Sequence, residues 1–219
     1  VVGGGKDLSN IFFMKRVLAA LGSGLMFKRV YGILLRIVAL ITAIGGAVLW
    51  VSIWQEISEL GSYWYYGSRI VPAGVVVQIL MLVLLYCLVH TLLIRARTVE
   101  QLQQTNYIIA PIFSVTLKLV GEIFGCVLTF SGLAGGISIW IANRDVLRIL
   151  GISAIPSLGT ASFITGFLTI LVGLFLAFTS LVTFYYSAEL SIVLVDIATN
   201  TRVLQRNQVA SGEQETSQG

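Results

Sequence analysis

The sequence predicts an all-α integral membrane protein: an antiparallel four-helix bundle with an N-terminal interfacial amphipathic helix and cytoplasmic helix extensions. Three observations carry that expectation. Of 219 residues, 57% are apolar and only 11% charged, whereas roughly a quarter of the residues in a soluble domain are charged. Windows of about 20 apolar residues, enough to cross about 30 Å of hydrocarbon, occur four times along the chain. Lysine and arginine are also divided unevenly between the segments that flank those windows. The net charge of +4 would raise nucleic-acid binding in a soluble chain. In a membrane chain the nearer partner is anionic lipid, and no nucleic-acid partner is expected.

The four windows are 31–54, 70–94, 119–142 and 162–186. Inside a bilayer a lone strand cannot satisfy its own backbone, so each must be a helix. Pro72 and Pro111 fall near helix starts, where a missing N–H costs least. In domain terms, residues 1–30 form a cytoplasmic or interfacial segment, 31–204 the four-span domain with a C-terminal helix extension, and 205–219 a polar tail expected to be disordered.

Orientation follows from the basic residues. Lys6, Lys15, Arg16, Lys28, Arg29, Arg36, Arg95, Arg97, Lys118, Arg202 and Arg206 share one side, against Arg69, Arg144 and Arg148 on the other. Eleven against three is a positive-inside bias that puts both termini in the cytoplasm. Glu56, Glu59 and Asp145 neutralise the outer side, so the inner side carries the whole +4. Aromatic residues agree: Trp50, Trp54, Tyr63, Trp64, Tyr65, Tyr66 and Trp140 crowd the outer ends, and Tyr31, Tyr107, Tyr185 and Tyr186 mark the inner ones.

Outside the spans, residues 8–27 are apolar but interrupted by Lys15 and Arg16. They suit either an interfacial helix on the cytoplasmic leaflet or a segment packed on a partner subunit. The same interruptions argue against a cleaved signal peptide. Residues 143–160 suggest a second surface-lying stretch on the outer side. Cys87 and Cys126 both lie in apolar runs, so no structural disulfide is expected.

Ionisable residues near the spans are the candidate site: Arg36, His90, Lys118, Glu122 and Glu189. Ionisable groups deep in a membrane mark ion or proton pathways by default. Counting about 20 residues from each outer anchor instead places all five at the cytoplasmic interface. Arg36 and Lys118 would snorkel to lipid phosphates. Lys118 and Glu122 can pair at i, i+4, or Glu189 can approach Lys118 from a neighbouring helix. Arg36, Lys118, Glu122 and Glu189 are therefore candidate lipid or interface residues. His90 is a weak candidate haem ligand, to be completed by another chain, since one histidine cannot supply two ligands. No cofactor is expected beyond lipid, with any haem or pigment contact made through partner chains. Thr129-Phe130-Ser131-Gly132 lacks the glycine that precedes a serine nucleophile, and Gly3-Gly4-Gly5-Lys6 lacks phosphate-loop spacing. No metal-ligand spacing is present in the sequence.

Small residues recur every four positions: Ala39, Ala43 and Ala47 on span one; Gly121 and Gly125, then Gly132 and Gly136, on span three; Gly173 and Ala177 on span four. In lipid such stripes let helix backbones approach closely. Span two is bulky from Leu80 to Leu85, and its expected place is at the periphery of the bundle.

The segment Glu189-Leu-Ser-Ile-Val-Leu-Val-Asp196-Ile-Ala-Thr-Asn200-Thr201-Arg202 resembles a juxtamembrane stretch of small bacterial inner-membrane proteins assigned to domains of unknown function. A looser likeness covers the basic entry to span one, Phe27-Lys-Arg-Val-Tyr31. The resemblance implies a bacterial cytoplasmic membrane and a cytoplasmic helix, opened by Glu189 and closed by Asn-Thr-Arg, in which Glu189, Asn200 and Arg202 cap or pair. It implies no activity.

Rich packing chemistry without a catalytic constellation leads to the expectation of a non-enzymatic membrane subunit or scaffold. Its partners would be other membrane subunits or further copies of itself. A small oligomeric transporter or channel is the alternative, with a polar path limited to Thr42, Thr129, Ser131, Ser138, Thr169, Thr179 and Ser180. A redox-linked anchor using His90 is the third.

Overall fold

The computed structural model describes residues 25–61, 67–102, 109–142 and 162–216. They form four helices: α1 (Leu25–Gly61), α2 (Gly67–Glu100), α3 (Ile109–Ala142) and α4 (Ser162–Thr216). Among the described residues there is no strand. All four helices are long and apolar enough to cross a membrane, so the chain has the form of a multi-pass membrane protein. The expected interfacial helix over 8–27 lies outside the described residues as far as residue 24, and Leu25, Met26 and Phe27 open α1 instead. The outer connection over 143–160 also lies outside them.

The helices outrun the apolar windows. α2 continues through Arg95 and Arg97 to Glu100, and α4 continues from the apolar window to Thr216. The tail expected to be disordered is therefore helical as far as Thr216, and the helix does not close at Asn200–Arg202. Extending an existing helix avoids the costly nucleation step, so glutamine, arginine and alanine can prolong it without apolar burial. Pro72 sits in the second turn of α2, where it removes one intrahelical hydrogen bond near the end of the helix.

Successive helices are the main neighbours: α1 packs on α2, α2 on α3, and α3 most extensively on α4. Helix α2 is thus interior to the row, contrary to the expected periphery. Its bulky centre is misleading because both ends carry smaller contact residues: Ala73 and Gly74 at one end, Ala96 and Val99 at the other, all buried. At the end of the row rich in basic residues, Leu35 and Ala39 of α1, Leu92 and Ala96 of α2 and Leu119 of α3 form one buried cluster, flanked by Tyr31, Val89 and Ile123.

Glycine sets the α3–α4 contact. A Cβ on Gly173 would stand 2.6 Å from the Gly132 Cα, and one on Gly136 would stand 2.6 Å from the Gly166 carbonyl oxygen. Both obstacles are backbone and cannot rotate away, so two bare positions face each other in each case. Gly125 meets Leu181 and Gly121 meets the Phe184 Cβ, so partner numbers on α4 rise as those on α3 fall. On α1 the stripe works differently. Ala39 is buried and Ala43 half-buried, but Ala47 is exposed, and Gly46 makes the close approach to Leu85.

Candidate functional site

The polar side chains concentrate at the end of the row that carries Lys28, Arg36, Arg95 and Lys118. Glu122 lies 18 residues from Trp140 on the same helix, about 27 Å along the axis, which is close to the full thickness of a hydrocarbon core. Three helices each contribute one group to its centre. The Arg95 guanidinium on α2 donates through Nε to Glu122 Oε2 at 2.9 Å, and through Nη2 to Glu122 Oε1. This is the two-pronged geometry that suits arginine to carboxylates. Arg95 Nη2 also donates to the Tyr185 hydroxyl at 3.1 Å, and that hydroxyl donates to Glu122 Oε1 at 2.6 Å. The ring of donors closes with every proton assigned: the carboxylate only accepts, the guanidinium only donates, and the phenol does both. Both charged side chains are mostly withdrawn from the surface.

Lys118, one turn before Glu122, places its Nζ 5.4 Å from the centroid of the Tyr185 ring, within range of a cation–π contact. Glu122 hydrogen-bonds to Arg95 on the neighbouring helix, with Lys118 beside the pair. The cluster therefore holds two cations and one anion. Arg36 on α1 reaches Glu100 at the end of α2, at 2.8 Å, in an ion pair between helices. Glu189 is exposed on α4.

Two further bonds fasten α1. Lys28, only 6% exposed, donates from Nζ to the carbonyl of Leu102 at 2.8 Å. Carbonyls at a helix C-terminus lack intrahelical donors and carry partial negative charge, so a lysine there satisfies both needs. Thr116 gives its hydroxyl proton to the Ile112 carbonyl at 2.8 Å, which leaves its oxygen to accept from Tyr31 at 2.6 Å. At the other end of α1 and α2, Trp50 Nε1 donates to the Gln78 carbonyl at 3.3 Å, and Gln78 Nε2 donates to the Trp50 carbonyl at 3.0 Å. Gln78 is 3% exposed, and its Oε1 meets no donor among the described residues. Neither Arg95 nor Gln78 stands out in the sequence as a contact residue, since hydropathy shows depth and says nothing of which helix a side chain faces.

His90 is exposed, with its ring stacked on Tyr86 at 5.6 Å. Among the described residues it takes no part in the hydrogen bonds that join Arg95, Glu122 and Tyr185. Among the described residues no three His, Cys, Asp or Glu side chains are grouped for a metal ion. Cys87 and Cys126 are free thiols. The chemistry of the cluster is thus that of a tie: charge is matched across α2, α3 and α4, with one lysine in excess, at the level where apolar helices leave hydrocarbon. No protein family, curated protein or solved structure matches the chain.

Proposed function

We propose that the chain is a non-enzymatic integral membrane subunit or scaffold, an antiparallel four-helix bundle that joins a larger assembly in a bacterial inner membrane. The observation that carries this reading is the open order of the helices. Each of α1 and α4 has one main neighbour, so the outward faces of both are left for lipid or for another chain. A closed bundle would cover them. The opposed numbering along the glycine contact supports antiparallel packing of α3 and α4, and the basic excess at one end supports cytoplasmic termini. The interface cluster then serves as the clamp that holds the row together at its inner end, with Lys118 directed to an anionic headgroup.

Details of the hydroxyl side chains weigh against the transport alternative. Thr169, Thr179 and Thr183 donate to the carbonyls of Thr165, Phe175 and Thr179, four residues back. Two of these, Thr169 and Thr179, belong to the candidate path, and their protons are engaged by their own helix, which supports the subunit reading over transport. The test is the particle mass in mild detergent after extraction from the native membrane. A particle heavier than one chain with its detergent is expected; a stable single chain would overturn the reading.

A further inference from the structure

Helix α4 continues well beyond its neighbour. The α3–α4 contacts pair Gly121 with Phe184 and Gly125 with Leu181; carried on, that register sets Ile109, the first residue of α3, level with about residue 196 of α4. The remaining stretch to Thr216 is about 20 residues, or about 30 Å of helix with no α3 beside it. On the approach to it, Ala188 is buried and Ser191 and Val195 are half-buried, which marks the face turned to α3. The opposite face carries Leu190, Leu194, Ile197 and Leu204, all exposed, with Leu204 at 65%.

Their spacing alternates four and three: 190, 194, 197, 201, 204. That is the 3.5-residue repeat of a coiled coil, with Leu194 and Thr201 at a and Leu190, Ile197 and Leu204 at d. All four charged residues from 189 to 206 fall off this seam: Glu189 and Asp196 at c, Arg202 at b and Arg206 at f. Two acids and two bases leave the segment with no net charge, so two copies do not repel one another as they pair. The g and e positions beside the seam carry Asn200 and Gln205, amides that can bond each other across a parallel pair in both directions.

Resting on the reading of this chain as an assembly subunit, we infer that α4 from Leu190 to Leu204, where it runs out from beside α3, forms a parallel homodimerisation coiled coil. Leu190, Leu194, Ile197, Thr201 and Leu204 pair in register with the same residues of a second copy. The bilayer supplies the alignment, because copies inserted in one orientation hold equal residues at equal depth. A seam whose only polar member is Thr201 and whose charges all lie outside it is self-complementary under that constraint.

Cross-linking in native membranes tests this, using the full chain with Cys87 and Cys126 replaced by alanine. Single cysteines at Leu190→Cys, Ile197→Cys and Leu204→Cys should give a product of twice the chain mass under mild oxidation, at least about fivefold more than Glu189→Cys, Asp196→Cys or Arg202→Cys. Equal yields at seam and off-seam positions would overturn the inference. So would adducts to a chain of another mass, or cross-links that form only when Leu190→Cys and Leu204→Cys chains are mixed, which would mean opposed helices. The particle mass separates the two readings: a heavy particle without seam cross-links removes the coiled coil and leaves the subunit reading standing, whereas a single-chain particle removes both.

Discussion

Arg95, Glu122 and Tyr185 show how one carboxylate can tie three helices where they leave hydrocarbon. Because each group is partly withdrawn from water, removing one member leaves the others uncompensated, and the penalty exceeds the worth of the bond itself. Arg95→Gln should therefore destabilise the protein by about 3 kcal/mol, at the low end for a broken buried pair. Tyr185→Phe, which takes one donor from a carboxylate that keeps its arginine, should cost about 1 kcal/mol. Replacing Arg95 and Glu122 together by leucine should recover much of the single-variant loss. Thermal unfolding in one detergent compares all of these, with Glu122→Gln as the second single variant; a double-variant loss equal to the sum of the two single losses would show that the ion pair does not couple the helices. Of this site, the sequence singles out Glu122 and Lys118 and does not show the Arg95 bond to Glu122. The i, i+4 relation of Lys118 to Glu122 is visible in one dimension, whereas the approach of Arg95 depends on the α2–α3 register.

At the scale of elements, the glycines divide by what stands opposite them. A Cβ on Gly173 would meet the Gly132 backbone, but one on Gly45 would find nothing within 4 Å. Gly173→Ala should force α3 and α4 apart and cost about 2 kcal/mol, as overpacking does. Gly45→Ala should be neutral or stabilising by up to about 1 kcal/mol, because alanine is the better helix former. The same unfolding experiment decides it, and similar losses at both positions would refute close backbone contact as the cause. The stripes on spans three and four could be read from sequence because four-residue spacing alone puts small residues on one face. Gly166 and Gly46 could not, since each acquires its role only from what stands opposite it, Gly136 and Trp140 or Leu85. The four spans were legible for a similar reason: an uninterrupted apolar run has no other stable form in lipid. Their ends were not, because the continuations through Arg95 to Glu100 and through Gln205 to Thr216 are held by helix propagation and side-chain bonds that leave no trace in hydropathy. Helix α2 was misplaced because its bulky middle dominates the sequence, while its contacts use Ala73, Gly74, Ala96 and Val99 at the two ends.

For the molecule as a whole, the ties made by charged side chains and the basic residues lie at the same end of the row. Arg36 with Glu100, Arg95 with Glu122 and Lys28 with the Leu102 carbonyl all join different elements there. At the opposite end tryptophans make the joins: Trp50 exchanges hydrogen bonds with Gln78 across α1 and α2, and Trp140 stacks on Phe163 while donating to its carbonyl at 3.0 Å. Rings of this kind settle at a headgroup boundary, and in the proposed orientation the basic end faces the cytoplasmic leaflet. With an even number of crossings, Ser9 and Ser211 should then lie inside, and Ser58, beyond Trp54 on α1, should lie outside. Single cysteines at these three positions, in a chain whose Cys87 and Cys126 are alanine, can be exposed to a membrane-impermeant maleimide on intact cells. Ser58→Cys should label at once, whereas Ser9→Cys and Ser211→Cys should label only after the membrane is opened. Labelling of Ser211→Cys on intact cells would place the α4 extension outside and reverse the orientation, and labelling of only one terminus would mean that one of the four helices does not cross. If Arg36, Arg95, Arg97 and Lys118 set the orientation, exchanging all four for glutamine should produce a mixed population in which Ser58→Cys is labelled in only part of the molecules.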